Sequence, residues 1–211
     1  MTISLYDIKP VFHFNGSSNE VTVSHHSDFN CSDAITIEAN FKPDSAGTGI
    51  RALLGKGTGY KFFYSWSTGF YPVINIYVGG TNPQINAVSL ISTSDFSHLV
   101  ATYDSVVDRR TLRLYINGEL NKEGNKLTGL PSYTITGNTS PLYIGKSGSS
   151  YYMDGQLDYL RLYNVELTPS EISGNSNGNY TKRGLVSYWR FCERMGTAIF
   201  DSQGGHTGTL G

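Results

Sequence analysis

The chain has 211 residues and a formal net charge of -1, because 16 Lys plus Arg almost balance 17 Asp plus Glu. A nucleic-acid partner would need a basic face, so this balance argues against nucleic-acid binding. The length suits one large domain with a sizeable core rather than two small domains. The 24 Gly and 15 Tyr residues indicate many turns and many strand-favouring side chains, which predicts an all-β fold.

The ends and the cysteines bear on cellular location. No run of about eighteen apolar residues occurs, so membrane insertion is not expected. The N-terminus, MTISLYDIKP, lacks a basic stretch followed by an apolar core and does not resemble a signal peptide. We expect a protein that stays inside a cell or virion, or one whose export signal is missing from this chain. Cys31 and Cys192 could pair, but their wide separation favours two free thiols.

The first part of the chain is predicted to form strands joined by turns. Residues 5–14 and 20–24 are strand-like, and Asn15 and Gly16 form a turn between them. His25 and His26 follow the second strand. Because adjacent strand positions point to opposite faces, we interpret them as a solvated loop pair rather than as metal ligands.

Residues 34–43, AITIEANFKP, predict a strand with two distinct faces. One face carries Ile35, Ile37, Ala39 and Phe41, and the other carries Thr36, Glu38, Asn40 and Lys42. A short strand over residues 51–56 follows.

Residues 60–77 are the most aromatic part of the chain. Exposed aromatic side chains on a concave sheet could stack on sugars, but buried aromatics dominate the cores of β-sandwiches. Alternation places half of the rings on each face, so we expect most of them in the core. Phe63, Phe70 and Tyr71 are predicted to be exposed.

The middle of the chain predicts further strands over residues 87–91, 98–103, 111–117 and 142–145, with an edge strand near 133–135. Asn117 and Gly118 give the strongest hairpin turn in the sequence.

Residues 152–172, YMDGQLDYLRLYNVELTPSEI, predict a strand, a turn and one short helix. Strict alternation would place Asp158, Leu160, Leu162 and Asn164 on one face, and Leu157, Tyr159, Arg161 and Tyr163 on the other. Thr168 can cap a helix near residues 168–173, Pro169 suits its first position, and Glu171 can reach back to the cap. A polar linker over 174–180 and a further strand over 185–191 follow.

These segments together resemble the laminin-G-like, concanavalin-A-like lectin/glucanase jelly-roll family. The matching stretches, in chain order, are FNG at 14–16, TIEANFKP at 36–43, LLGKG at 53–57, HLVATYD at 98–104, LRLYING at 112–118 and the segment 155–172. The resemblance implies a two-sheet antiparallel jelly-roll β-sandwich with one short helix, formed by residues 1–211 as a single domain.

Residues 185–210 resemble the way such a domain normally begins, although here they lie at the C-terminus. They could start a truncated second repeat, or they could fold back and complete the sheet in a permuted order. Sandwich termini usually lie close together, so the second interpretation is favoured.

The sequence argues against an enzyme. Related sandwiches that hydrolyse glycans carry an E-x-D-x-(x)-E strand motif, which holds two carboxylates about 5 Å apart. None of the glutamates here forms this motif, and no G-x-S-x-G elbow, phosphate loop or metalloprotease helix occurs.

The resemblance implies a structural calcium site. Its ligands would be Asn15, Asp158 and Asp201, with backbone oxygens near Gly204 and Asn19. The family has Asp at the positions of Asn15 and Cys192, and the first difference removes a charge and should weaken calcium binding. The alternative is that Asp158 and Asp201 accept hydrogen bonds from turn amides.

Two functions remain open. The first is a non-catalytic carbohydrate-binding or adhesion module at a cell or virion surface, with Phe70, Tyr71, Tyr151 and Tyr152 as ligand-binding residues and a glycan or protein surface as partner. The second is a structural or self-assembling subunit of a virion, fibre or extracellular filament. The aromatic, Asn-rich loops favour the first, and the lack of a visible signal peptide favours the second.

Overall fold

The structure is a computed structural model that describes residues 11–44, 49–66, 69–106, 108–193 and 195–211, apart from the Trp66 side chain. Residues 5–10 of the predicted first strand lie outside this range. Among the described residues no helix is long and apolar enough to cross a membrane.

The strands formed by the described residues are β1 (Phe12–Asn15), β2 (Val21–Val23), β3 (Ala34–Pro43), β4 (Gly49–Lys56), β5 (Tyr60–Trp66), β6 (Phe70–Ile76), β7 (Gln84–Asn86), β8 (Ser97–Asp104), β9 (Arg113–Ile116), β10 (Glu119–Glu123), β11 (Leu142–Ile144), β12 (Asp154–Tyr163), β13 (Leu185–Trp189), β14 (Ala198–Ile199) and β15 (Gly208–Leu210).

These strands form two antiparallel sheets, which confirms the predicted all-β sandwich. The described part of the first sheet has seven strands in the order β1-β12-β3-β8-β9-β10, with β13 also paired to β12. The second has eight strands in the order β14-β15-β2-β11-β4-β5-β6-β7. A helix, α1 (Pro169–Ser176), follows β12, and a 3-10 helix spans Ser27–Phe29.

The main core lies between the two sheets and follows from period-two alternation. The β3 residues Ile35, Ile37, Ala39 and Phe41, which the sequence places on one face, are all buried in it. From the facing sheet, Tyr60, Phe62 and Tyr64 of β5 are also buried there. Tyr64 keeps its hydroxyl satisfied by donating to the Asp154 carbonyl at 2.8 Å, so its burial leaves no unpaired polar atom.

The predicted alternation of β12 is wrong at one point, because the strand contains a β-bulge. The register with β3 shifts between Leu157 and Tyr159, so Asp158 is the extra residue at which the strand bulges. Two residues then oppose one, and the side-chain pattern before the bulge is reversed. Leu157 therefore joins the core beside Leu160, while Asp158 turns outward and accepts a hydrogen bond from Asn40 Nδ2 at 2.9 Å.

Two predicted strands are absent from the described residues. Residues 87–91 contact β6 through single hydrogen bonds, from Ala87 N to Pro72 O and from Ile91 N to Phe70 O, without forming a ladder. The Asn121 side chain accepts from Val88 N and so diverts this segment from regular pairing. In residues 133–135, Ile135 forms an isolated bridge to Val78, which lies beyond the end of β6, and no ladder follows.

Helix α1 begins with the predicted capping box. Thr168 Oγ1 accepts from Glu171 N at 3.3 Å, and Glu171 Oε2 accepts from Thr168 N at 2.8 Å. Arg183 donates to the same carboxylate at 2.7 Å. The Arg183 hydrogen bond, with the capping interactions, lowers the pKa of Glu171 to about 2. The helix packs on the outer face of the seven-stranded sheet in a second small core that includes Ile172.

Beneath this helix lies a buried polar network centred on Glu38. Its carboxylate, 0% exposed, accepts from Arg161 Nη1 at 2.7 Å, His98 Nε2 at 2.8 Å, Asn175 Nδ2 at 2.9 Å and Tyr163 OH at 3.0 Å. Burial alone would raise the pKa of Glu38, but the His98 and Arg161 contacts outweigh it and hold this pKa below its ordinary value of 4.5. The carboxylate therefore remains ionised inside the fold.

The C-terminal segment supplies strands to both sheets. β13 pairs with β12, and β15 pairs with β2. Trp189 is 0% exposed and donates from Nε1 to the His206 carbonyl at 2.9 Å. Cys31 is buried and Cys192 is exposed, and both are free thiols, as the sequence favoured. Burial raises the pKa of the Cys31 thiol to about 12.

We predict that Trp189→Ala destabilises the whole sandwich. Removing a fully buried Trp leaves a cavity and should lower the free energy of unfolding by about 3–5 kcal/mol. Phe200→Ala is the matched control, because Phe200 lies in the same segment and is 59% exposed. Urea unfolding of both variants measures the difference, and equal stability would show that the C-terminal segment is not part of the core.

We predict that Glu38→Gln leaves Arg161 buried without its anionic partner and lowers the free energy of unfolding by about 3–5 kcal/mol at pH 7. Because the folded-state pKa is depressed, the stability from the ionised carboxylate is present above pH 4.5 and is lost as pH falls through the folded-state pKa. The difference in the free energy of unfolding between the wild type and the variant should therefore become smaller as the pH falls from 7 to 3.

Urea titrations at the two pH values measure this gap, with Glu119→Gln on the exposed strand β10 as control. A gap that stays constant or widens on acidification would contradict the role assigned to the Glu38 charge.

Candidate functional site

The outer face of the eight-stranded sheet holds a cleft of about 270 Å³. It lies across β5, β6 and β7 and is bordered by Ile50 of β4 and by Tyr151. The lining residues are Ile50, Lys61, Phe63, Ser65, Val73, Asn75, Tyr77, Asn82, Gln84, Asn86 and Tyr151.

Strand parity places these side chains together. Because Tyr60, Phe62 and Tyr64 point into the core, Lys61, Phe63 and Ser65 must point outward. The register then aligns the neighbouring strands: Phe63 stands opposite Val73, and Val73 stands opposite Asn86. One row across three strands therefore combines a ring, an aliphatic group and an amide.

The floor of the cleft is apolar and partly aromatic. Ala52, Phe63 and Val73 form a small buried cluster on this outer face, separate from the main core. The Tyr151 ring packs against Phe63 with its centroid 6.0 Å away and an interplanar angle of 69°. Tyr151 is 42% exposed, so one side of its ring is available to a ligand.

Polar groups surround this floor. Asn75 Nδ2 donates to Asn82 O at 2.9 Å, and Gln84 Nε2 donates to Asn86 Oδ1 at 3.1 Å. Lys61 Nζ donates at 3.0 Å to the hydroxyl of Tyr77, the residue that directly follows β6. Amides, a phenol and an ammonium group therefore present donors and acceptors around an apolar surface, which is the composition of a small-ligand site.

The predicted ligand-binding aromatics are dispersed relative to this cleft. Tyr151 lines it, whereas Tyr152 is not a lining residue and has Lys146 Nζ 5.1 Å from its ring. Tyr71 is half-buried on the outer face, opposite Ser65. The predicted exposure of Phe70 is wrong: it begins β6 on the same face as Ile74, is 4% exposed and packs against Tyr64 in the core. Phe63 points outward as predicted, but it is 8% exposed because neighbouring side chains cover it.

Sequence reasoning missed the polar lining of the cleft. Asn75 and Tyr77 could have been found by extending the β5 alternation into the next strand. Gln84 and Asn86 could not, because residues 84–86 were not predicted to be a strand. Their position depends on pairing with β6.

A family model, Laminin_G_3, described as the concanavalin A-like lectin/glucanases superfamily, matches residues 15–173. The chain belongs to this superfamily. Comparison with curated proteins gives no match.

Solved structures with the same fold include carbohydrate-related proteins. A candidate carbohydrate-binding protein from Bacteroides ovatus aligns with a TM-score of 0.73 at 19% identity, covering 96% of this chain and 58% of that one. This chain thus spans just over half the length of that relative.

Two further neighbours were solved with sugars bound. The CBM40 of Ruminococcus gnavus IT-sialidase, bound to α2,3-sialyllactose, aligns with a TM-score of 0.58 at 14% identity and covers 79% of this chain and 97% of its own. Domain 4 of an extracellular arabinanase from Geobacillus stearothermophilus, in complex with arabinotriose, aligns with a TM-score of 0.59 at 20% identity. The alignment covers 79% of this chain and 76% of that domain. At these identities the likeness shows the fold.

The residues predicted to bind calcium do not fit a shared ion. Asn15 lies opposite Asp154, whereas Asp201 bridges to Trp189, which lies opposite Leu160. Positions 154 and 160 of β12 are about 20 Å apart along the strand. Two ligands of one calcium ion lie within about 5 Å of each other, so Asn15 and Asp201 cannot share it.

The same side chains have other hydrogen-bonding roles. Asn15 Oδ1 accepts from the backbone N–H groups of Ser17, Ser18 and Asn19, at 3.1, 2.9 and 3.1 Å. It therefore organises the turn after β1.

Asp201 accepts backbone hydrogen bonds from four residues: Tyr188, Gln203, Gly204 and His206. Burial alone would raise the pKa of Asp201, but these donors outweigh it and lower this pKa. Asp201 therefore matches the alternative interpretation, in which its carboxylate accepts hydrogen bonds from turn amides rather than binding calcium. Asp158 instead bonds the Asn40 side chain on β3.

We predict that Asp201→Ala lowers the free energy of unfolding by at least about 2 kcal/mol, because several backbone donors lose a charged acceptor. The loss should be the same in excess Ca²⁺ and in EGTA. Thermal melts of the wild type and the variant in both buffers test this. A Ca²⁺-dependent rise in the wild-type midpoint that disappears in Asp201→Ala would restore the calcium site.

Proposed function

We propose that this chain is a non-catalytic carbohydrate-binding module that holds a glycan in the outer cleft of its eight-stranded sheet. The observation that carries the proposal is the composition of that cleft, an aromatic floor surrounded by side-chain amides. The module would act in recognition or adhesion at a cell or virion surface.

The chemistry of sugars matches this arrangement. A pyranose ring presents C–H groups on its faces and hydroxyl groups around its edge. The exposed side of Tyr151, backed by Phe63, can stack on a sugar face. The amides of Asn82, Gln84 and Asn86 can exchange hydrogen bonds with the hydroxyl groups, since each amide offers both donors and acceptors. The modest volume suits a short glycan segment.

The charge of the cleft favours binding over hydrolysis. Glycosidases use two carboxyl groups that flank the scissile bond at about 5–9.5 Å. Among the described residues that line the cleft there is no Asp, Glu or His, and Lys61 is the charged one. The neighbours bound to sialyllactose and arabinotriose support the same choice of ligand class.

We predict that the protein binds particular glycans on an array and that Tyr151→Ala and Asn86→Ala each weaken the binding about tenfold or more. A tenfold loss of affinity is the usual effect of truncating a central contact in a small binding site. Titration calorimetry with a glycan that scores on the array measures the affinities. Asn179→Ala is the matched control, because Asn179 is an exposed amide on the loop after α1 and does not line the cleft.

The possible results separate the alternatives. Glycan binding that survives both cleft variants would place the site elsewhere. Blank arrays together with concentration-dependent assembly would favour the structural or self-assembling subunit instead. Hydrolysis of an oligosaccharide by the pure protein would overturn the non-catalytic assignment.

A further inference from the structure

We propose that His26, Asp28 and His206 form a binding site for a divalent transition metal of the zinc type. One nitrogen or oxygen from each residue lies within 4.8 Å of the others. This site is separate from the glycan cleft and stands or falls independently of the proposed function.

The topology explains why residues so far apart in sequence meet. β2 and β15 are antiparallel neighbours, and Val23 at the end of β2 pairs with Gly208 at the start of β15. His26 follows the end of β2, and His206 precedes the start of β15. Both histidines therefore lie at the same end of two adjacent strands. The sequence favoured a solvated role for His26 because the adjacent His25 would point to the opposite face, and residue order gave no sign that His206 lies nearby.

The distances are close to those of a metal site. Asp28 Oδ2 lies 3.2 Å from His26 Nδ1 and 3.4 Å from His206 Nε2. Ligand atoms on a tetrahedral Zn²⁺ with bonds near 2.0–2.1 Å are about 3.3 Å apart. Two edges of the required tetrahedron are thus already present, and the two rings lie together with centroids 4.7 Å apart.

Neighbouring groups fix the orientation of His206. Its Nδ1 lies 3.2 Å from Asp201 Oδ2 and 2.9 Å from Ser187 Oγ. An ionised carboxylate only accepts hydrogen bonds, so Nδ1 faces Asp201 as a donor, and Nε2 is the ring nitrogen on the side of Asp28 that is open to a metal. A carboxylate behind the ring of a histidine ligand is the usual support of a metal site. Phe29 packs against the same ring with centroids 4.7 Å apart.

Three potential ligand atoms face one another. His206 Nε2 and His26 Nδ1 both lie beside the Asp28 carboxylate, and His26 Nδ1 also accepts from Asp28 N at 3.3 Å. Metal binding would release any proton shared between these atoms, because histidine binds a metal through an unprotonated nitrogen. Two imidazoles and one carboxylate suit Zn²⁺ and similar ions, whereas Ca²⁺ and Mg²⁺ prefer sets composed of oxygen ligands.

The bound metal would link the segment just before β15 to the segment just after β2. His26 and Asp28 are each about half exposed, at 51%, whereas His206 is 10% exposed. The ion would therefore sit at the surface, with its remaining coordination position facing solvent. Metal binding to the folded state alone stabilises that state by mass action.

The test uses the whole chain, without a polyhistidine tag, after treatment with EDTA. Thermal melts are recorded with ZnCl₂, with CaCl₂ and without metal, and calorimetry gives the zinc stoichiometry. We expect one Zn²⁺ per chain and a rise in Tm of about 5 °C at a hundredfold excess over Kd. His26→Ala and Asp28→Asn should each reduce the rise to below about 1 °C.

His13→Ala is the matched control. His13 Nε2 also lies beside a carboxylate, 2.7 Å from Asp44 Oδ2, and the described residues place no third such ligand there. Its zinc response should equal that of the wild type. Similar Tm values in EDTA show that the variants fold. No zinc shift in the wild type, or an equal shift in His26→Ala and Asp28→Asn, would overturn the proposal.

Discussion

The buried carboxylate of Glu38 connects more of this structure than any other group described here. It lies on β3 and accepts hydrogen bonds from His98 on β8, Arg161 on β12 and Asn175 on α1. A buried charge is tolerated only when it is paired and hydrogen-bonded. The carboxylate therefore stabilises one arrangement of three neighbouring strands and fixes the helix against them.

This network distinguishes the two outer faces of the sandwich. The outer face of the seven-stranded sheet is occupied by α1 and by the Arg161 guanidinium, which stacks on the rings of Tyr159, Tyr180 and Tyr188 at 4.1–4.4 Å. The outer face of the eight-stranded sheet has no such cover over β5, β6 and β7 in the described part of the chain, and the cleft lies there. The proposed glycan site therefore lies on the face of the sandwich opposite the Glu38 network.

The sequence predicted the fold well because its signals are local. Alternation along β3 and β5 identified the inward residues, and the capping residues Thr168 and Glu171 identified the helix. The sequence-based prediction failed where the direction of a side chain depends on the strands that pair around it. The bulge at Asp158 reverses the pattern of β12, and Phe70 takes its inward direction from the rest of β6 rather than from the turn before it.

The sequence by itself determined an all-β sandwich, its superfamily and most of its core, because periodicity and turn residues act over a few positions. Only the tertiary structure decided the sites. Gln84 and Asn86 join Phe63 in the cleft through strand pairing, and His206 meets His26 because β15 adds beside β2. It also separated Asn15 from Asp201, which the resemblance had brought together. Such groupings arise from contacts between distant segments, and residue order along the chain does not specify them.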